Sequence, residues 1–204
     1  MVEIGSVDII TEVLMMASQM AMPREGHLEA VLHILAFLRQ KYNSRMAFDP
    51  TYPVINMDEF KEWKWKDFYG YLNEDIPPNT PEERGEEIDL YGYIDSEHAG
   101  EKKTRRSCSI FFILLNSALI QWFSKNQATT ETSVFGAEFV AMKIGMATLQ
   151  GIRYKTSMTG APISGPSYIY GDNMSVIHNT SEEPVGNTRT GKQHKSKTLR
   201  TKWK

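Results

Sequence analysis

Scarce cysteine, no long apolar run and no one-sided net charge set the first limits on this chain of 204 residues. The single cysteine, Cys108, excludes an internal disulfide and makes a reducing compartment the default. The longest apolar run, residues 110–115, falls far short of the roughly 20 residues a membrane-spanning helix needs, so no membrane partner is expected. The start, Met-Val-Glu-Ile-Gly-Ser, shows no basic region followed by an apolar one, so no secretory leader is expected either. The formal net charge of -2 hides an uneven distribution. Residues 57–101 hold fourteen acids against four Lys or Arg, whereas residues 189–204 hold seven Lys or Arg and no acid. Such a basic end is either a solvated tail or a nucleic-acid arm.

Two helices are predicted first. Asp8 can cap one over residues 9–22, with Ile9, Val13, Met16 and Met20 on one face and Pro23 as its stop. A second, over residues 24–40, presents Leu28, Val31, Leu35 and Leu38 as its apolar stripe. The short connection makes the pair a helical hairpin. Met46-Ala-Phe48 reads as a short strand. Trp63, Trp65, Phe68, Tyr69 and Tyr71 then mingle with Lys61, Lys64 and Lys66, either as edge strands or as a stacking platform for single strands. Residues 73–87, with Pro77, Pro78 and Pro81 among acids, read as a linker.

From residue 88 the pattern becomes strand, strand, strand, helix, strand, helix. Ile88, Leu90, Gly92 and Ile94 alternate with Asp89, Tyr91 and Tyr93 in a run that ends on Asp95. Residues 107–115 and 118–124, joined by Asn116-Ser117, complete an antiparallel meander. Thr132 or Ser133 can cap a helix over residues 134–154. Val134, Ala137, Ala141 and Ile144 make one apolar row of it, beside Phe135, Phe139, Met142 and Met146. A buried strand over residues 167–171 leads to Asp172-Asn173 and a short helix.

Three acids stand at element ends: Asp95 and Asp172 close strands, and Glu138 lies early in an apolar helix, where the helix N-terminus favours its charged form. An acid in an apolar element costs several kcal/mol to desolvate unless a partner offsets it. Three carboxylates on separate elements can hold hard divalent cations through oxygen, as Mg2+ requires. Two such ions roughly 4 Å apart would stabilise the attacking and leaving oxygens of phosphodiester cleavage. Without metal, clustered carboxylates repel, and at least one should titrate above its ordinary value.

Local sequence narrows these options. Tyr93-Ile-Asp-Ser-Glu-His-Ala-Gly100, Arg105-Arg106-Ser107, Trp122-Phe-Ser-Lys-Asn-Gln127, Gly136-Ala-Glu-Phe139 and Gly171-Asp-Asn173 follow one another in this order. As a set they resemble the RNase H domain that ends copia-type retrotransposon Pol polyproteins, and residues 1–48 resemble the thumb end of the same polyprotein's reverse transcriptase. The resemblance implies an α/β fold, an RNase H-like mixed sheet flanked by helices and preceded by a helical hairpin. It divides the chain into a thumb remnant (1–50), a connection with an acidic Pro-rich linker (51–87), an RNase H-like domain (88–180) and a diverged basic tail (181–204). It implies Mg2+, with Mn2+ as an acceptable substitute, an RNA·DNA hybrid as substrate, and Asp95, Glu138 and Asp172 as catalytic metal ligands.

Neighbouring residues suit a nucleic-acid surface. Lys102, Lys103, Arg105 and Arg106 follow the Asp95 turn and could position phosphates, or could simply solvate a hairpin edge. Ser124, Lys125 and Gln127 could touch phosphate or a 2′-hydroxyl. Asn173 orients Asp172 or caps the helix after it.

The chain departs from the resembled pattern in three ways. No Tyr-x-Asp-Asp or comparable pair occurs, so polymerisation is not expected and a parent polyprotein would supply the palm. Glu97 and Asn126 stand where the family has Asp and Lys. Beyond Glu182 and Glu183 no acid follows Asp172, so the family's last acid is missing, and His194 is a weak stand-in for a family histidine. Two readings follow: a Mg2+-dependent ribonuclease of hybrids, impaired by the missing acid, or a catalytically inactive retroelement remnant that at most binds nucleic acid. The expected location is intracellular, either cytoplasmic in a virus-like particle or nuclear.

Overall fold

The computed structural model describes residues 7–55, 78–101, 103–181 and 199–200. Its centre is a mixed sheet. The strands β1 (Leu90–Glu97), β2 (Cys108–Leu115) and β3 (Ala118–Asn126) form the expected antiparallel meander. Asn116 takes the left-handed backbone at the β2–β3 turn, with φ +52°, a conformation asparagine tolerates better than most residues. The strand β4 (Tyr168–Tyr170) lies parallel to β1 on its other side, and two-residue β5 (Leu199–Arg200) pairs antiparallel with β4. The order is therefore β3-β2-β1-β4-β5.

A parallel pair needs a crossover, and the helix α3 (Val134–Ser157) supplies it. Ser133 caps α3, its Oγ accepting the Gly136 amide at 3.1 Å. Ala137, Ala141, Gly145, Leu149 and Ile152 form the buried face of α3. They meet Leu90, Ile94, Phe111, Ile113 and Ile169 of the sheet. The predicted row is correct at Ala137 and Ala141 but not at its start. Val134 and Phe135, in the first turn, are exposed, and so is Phe139, which lies on the side of the helix away from Ala137, Ala141 and Gly145. The short helix α4 (Met174–Ser181) adds Val176 and Ile177 to the same core. The other sheet face carries Tyr91 and Tyr168, covered in part by Ile55 and Leu114.

The N-terminal hairpin forms with two differences from expectation. A 3-10 turn (Val7–Ile9) holds Asp8, which caps nothing, and α1 (Ile10–Ala17) ends five residues short of Met22. After Ala17 the backbone tightens into i→i−3 bonds, and the Ser18 hydroxyl donates to the Met15 carbonyl at 2.7 Å, so the chain turns before Pro23. The second helix, α2 (Glu25–Gln40), keeps its predicted length, but its half-buried residues are His27, Ala30, Ile34, Phe37 and Leu38. The predicted stripe of Leu28, Val31 and Leu35 faces outward, because apolar residues line both sides of this helix and periodicity cannot choose between them. Met46-Ala-Phe48 forms no strand.

The described part of the predicted linker is anchored to the domain. Arg84 N donates to Gly160 O at 2.8 Å, Ile88 N to Pro162 O at 3.0 Å, and Ile88 bridges to Ile163. Residues 50–52 dock on the β2–β3 turn, where Asn116 Nδ2 donates to Pro50 O at 3.0 Å and Ser117 N to Thr51 O at 2.9 Å. The aromatic–lysine stretch at 61–71 and nearly all of the basic tail, His194 included, lie outside the described residues.

The tightest joint is α3 on β1. A Cβ built on Gly145 would sit 2.2 Å from Ile94 Cδ1 and 2.9 Å from Ile94 Cγ1. Gly145→Val should destabilise the domain by about 1–3 kcal/mol through overpacking, despite a better helix former in place of glycine. Urea unfolding of the variant beside wild type checks this, and an unchanged midpoint would show that Ile94 has room to move.

Candidate metal centre

β1 and β4 run parallel, so their C-terminal ends lie side by side. Tyr93 is paired in register with Tyr170, and their rings stack at 4.9 Å between centroids. Asp95 and Asp172 each follow two residues later, which brings both acids to the same corner of the sheet. Asp95 lies inside β1, which continues through Glu97 rather than ending on the acid. β3 ends at that edge too, and residues 127–133 lead from it into α3, whose fifth residue is Glu138. One oxygen from each of Asp95, Glu138 and Asp172 lies within 4.8 Å of the others. The three sequence candidates therefore converge, and among the described residues none of them forms an ion pair.

Their environments differ. Asp95 and Asp172 are exposed, while Glu138 retains only 8% of its accessible surface. Burial, reinforced by the Asp95 and Asp172 carboxylates, pushes the Glu138 carboxyl up to about 7. The Ser96 hydroxyl and amide oppose this shift, but the hydroxyl oxygen closes no well-formed hydrogen bond. The helix N-terminus was expected to favour the charged form. The Ala137 amide already bonds to Ser133 O, so Glu138 sits two residues beyond the last amide without a partner four residues back, and desolvation wins. Asp95 Oδ1 accepts from its neighbour Ser96 N at 2.7 Å, which steadies the first acid.

Around this corner the predicted contact residues divide. Lys103, Arg105 and Arg106 are exposed on the β1–β2 loop at the same end of the sheet. Lys103 turns to the hairpin, its Nζ donating to Gln19 Oε1 at 3.1 Å. Lys102 lies outside the described residues. Lys125 is exposed on β3, whereas Ser124 is half-buried with its hydroxyl 3.2 Å from Cys108 Sγ. Gln127 is no surface contact. It is 2% exposed, and its Nε2 donates to Ser109 Oγ at 2.9 Å and to Ala137 O at 2.8 Å. It ties the end of β3 to the start of α3, because the chain must turn inward there to begin the helix. Asn173 caps α4, its Oδ1 accepting from Ser175 N and Val176 N at 3.1 and 3.2 Å.

Sequence reasoning missed two supporting residues. His98 Nε2 lies 3.1 Å from Glu131 O and links the loop after β1 to the segment before α3. Arg153, 5% exposed, donates to Gly165 O at 3.2 Å and Ser167 Oγ at 2.8 Å, holding the approach to β4 against α3. Arg153 lies at the opposite end of the buried helix face from Glu138, and only a basic residue on that largely apolar face could have singled it out.

What the fold and corner define is an α/β domain with three carboxylates at the C-terminal edge of a mixed sheet. No family model matches the chain, and no solved structure matches it. Over 53 residues it is 38% identical to secreted RxLR effector protein 161 of Plasmopara viticola. That stretch is 26% of this chain and 37% of the relative, so the chain spans little more than a third of the relative's length. Among the described residues no helix is long and apolar enough to cross a membrane.

The raised carboxyl of Glu138 fixes the sign of a pH effect. A proton held more tightly by the folded than the unfolded chain stabilises the fold below the ordinary carboxyl range, and that contribution is lost as pH rises through about 7. Without divalent ions, the melting temperature of wild type relative to Glu138→Gln should therefore fall between pH 5 and 8. A 1 kcal/mol loss corresponds to about 2–4 °C in a chain of this size. A flat difference curve would show that Glu138 ionises freely.

Proposed function

We propose that this chain carries an RNase H-like nuclease centre, which cleaves RNA in RNA·DNA hybrids with Mg2+ or Mn2+, and that it derives from a copia-type retrotransposon Pol polyprotein. The observation that supports it most is the meeting of Asp95, Glu138 and Asp172 within 4.8 Å, from three elements far apart in sequence. The donor set fits a hard cation: it is all oxygen, it has no basic partner among the described residues, and its two outer acids stay open to a ligand. When bound, Mg2+ would supply charge neutralisation at the scissile phosphate and a more acidic water. Glu138 provides the buried end of the site and Asp95 and Asp172 its exposed rim. Arg105, Arg106 and Lys125 provide positive charge that could take up neighbouring phosphates. The hairpin of α1 and α2 is read as the remnant of the reverse-transcriptase thumb.

A second reading has its own support. Among the described residues no fourth carboxylate joins the three, so a second cation would lack its own ligands. The inactive remnant, binding hybrid only through salt-sensitive phosphate contacts, then remains as the competitor.

A labelled RNA·DNA hybrid separates the two. Mg2+ should support cleavage and raise the melting temperature of wild type, because it binds the folded chain alone. Asp95→Asn should abolish both effects; Mg2+ that changes neither would discard the nuclease reading. Replacing residues 188–204 with a tail that carries an acid should raise the rate about 10- to 100-fold, the scale on which support for metal sites is lost. Equal rates for the native chain and this chimera would show that three acids suffice.

A further inference from the structure

The outward face of α2 is more ordered than a random apolar patch. Leu28, Leu32 and Leu35 are 60%, 55% and 54% exposed, and they lie about 135° around the helix from its half-buried face. Glu25 and Arg39 extend the same line at its two ends, giving Glu25, Leu28, Leu32, Leu35 and Arg39 at alternating steps of three and four. Steps of three and four place side chains in one seam along a helix, the pattern that pairs helices. The seam is acidic at its N-terminal end, apolar through the middle and basic at its C-terminal end.

That polarity selects a partner. A parallel copy would set Glu25 against Glu25 and Arg39 against Arg39, with repulsion at both ends. An antiparallel copy with its two-fold axis beside Leu32 sets Leu28 near Leu35 of the partner subunit. It also sets Glu25 near Arg39 of the partner subunit, and by symmetry the same contact forms at the opposite end. A two-fold interface must be complementary to itself, and this seam meets that condition in one orientation only. Glu25 and Arg39 also suit the dipole of their own helix; what distinguishes them is that both lie on the leucine line.

We propose that the exposed face of α2 is a self-association surface, on which two copies of this chain pair antiparallel through Leu28, Leu32 and Leu35 with crossed Glu25–Arg39 contacts. The inference is independent of the nuclease reading. Sixteen residues of helix bury less than a standard interface of about 1,600 Å2, so the dimer should be weak, with a Kd of roughly 10–100 µM.

Sedimentation equilibrium of the full chain between about 5 and 300 µM, spanning that Kd, tests it. A monomer–dimer equilibrium is expected in wild type. Leu32→Glu should weaken it at least about tenfold by placing a charge in the desolvated seam. Glu25→Arg and Arg39→Glu alone should each weaken it about 3- to 10-fold, and the two together should restore it to within a few-fold of wild type. Circular dichroism would verify that each variant keeps its helices. A chain monomeric throughout would leave the stripe to a different protein and overturn the proposal. So would a dimer indifferent to Leu32→Glu, or a double variant no better than the singles.

Discussion

The distance between α3 and β1 governs most of this domain. Ala137, Ala141 and Gly145 stand one turn apart along the buried face of α3, and none carries more than a methyl group. The helix can therefore settle on β1 until Ile94 fills the space where a Gly145 side chain would be. That depth fixes the height of Glu138, the neighbour of Ala137, against Ser96 and Asp95. Larger residues in the row would lift the helix and draw the buried carboxyl away from the sheet edge. Gln127 and Ser133 then set where the helix starts, one through Ala137 O and the other through Gly136 N.

Packing of this kind works against electrostatics. The fold brings three carboxylates together and buries one of them, without a basic residue among the described ones to balance the charge. A domain shaped by stability alone would place apolar or paired groups there, since an unpaired buried charge is among the costlier features a fold can carry. Glu138 meets this cost by holding its proton up to about 7, so metal-free chain at neutral pH sits near the midpoint of its titration. A cation arriving at the corner would compete with that proton, and the site's affinity would rise with pH.

The helical hairpin meets the acidic corner through the β1–β2 loop, where Lys103 reaches Gln19. The same loop is shaped by Arg105 at φ +56° and by a bond between the Thr104 hydroxyl and the Glu101 carboxylate. Its basic residues thus stand on a structured turn between the acids and the hairpin. Leu28, Leu32 and Leu35 do not line the cleft between the hairpin and this loop, to which α2 contributes His27.

Much of the domain was legible in the residues themselves. The alternation through residues 88–94, the Asn116-Ser117 turn and the Ser133 cap gave the strands and the long helix, because period and capping are local properties that the chain carries wherever it goes. The three acids could be named, because motif spacing places them at element ends. Their meeting was decided only in three dimensions, by the parallel pairing of β1 with β4, a contact between residues about 77 apart in sequence. The same holds where sequence reading went astray. Nothing local distinguishes Gln127 on a surface from Gln127 in the core, and α2 has two apolar faces of which only one meets α1. Glu138 is the sharpest case: its place in the helix argued for a charge, and its burial beside Asp95 raised the carboxyl instead. Pattern determines which elements form; which faces touch, and what that does to a titrating group, depends on desolvation and on neighbours the sequence does not list together.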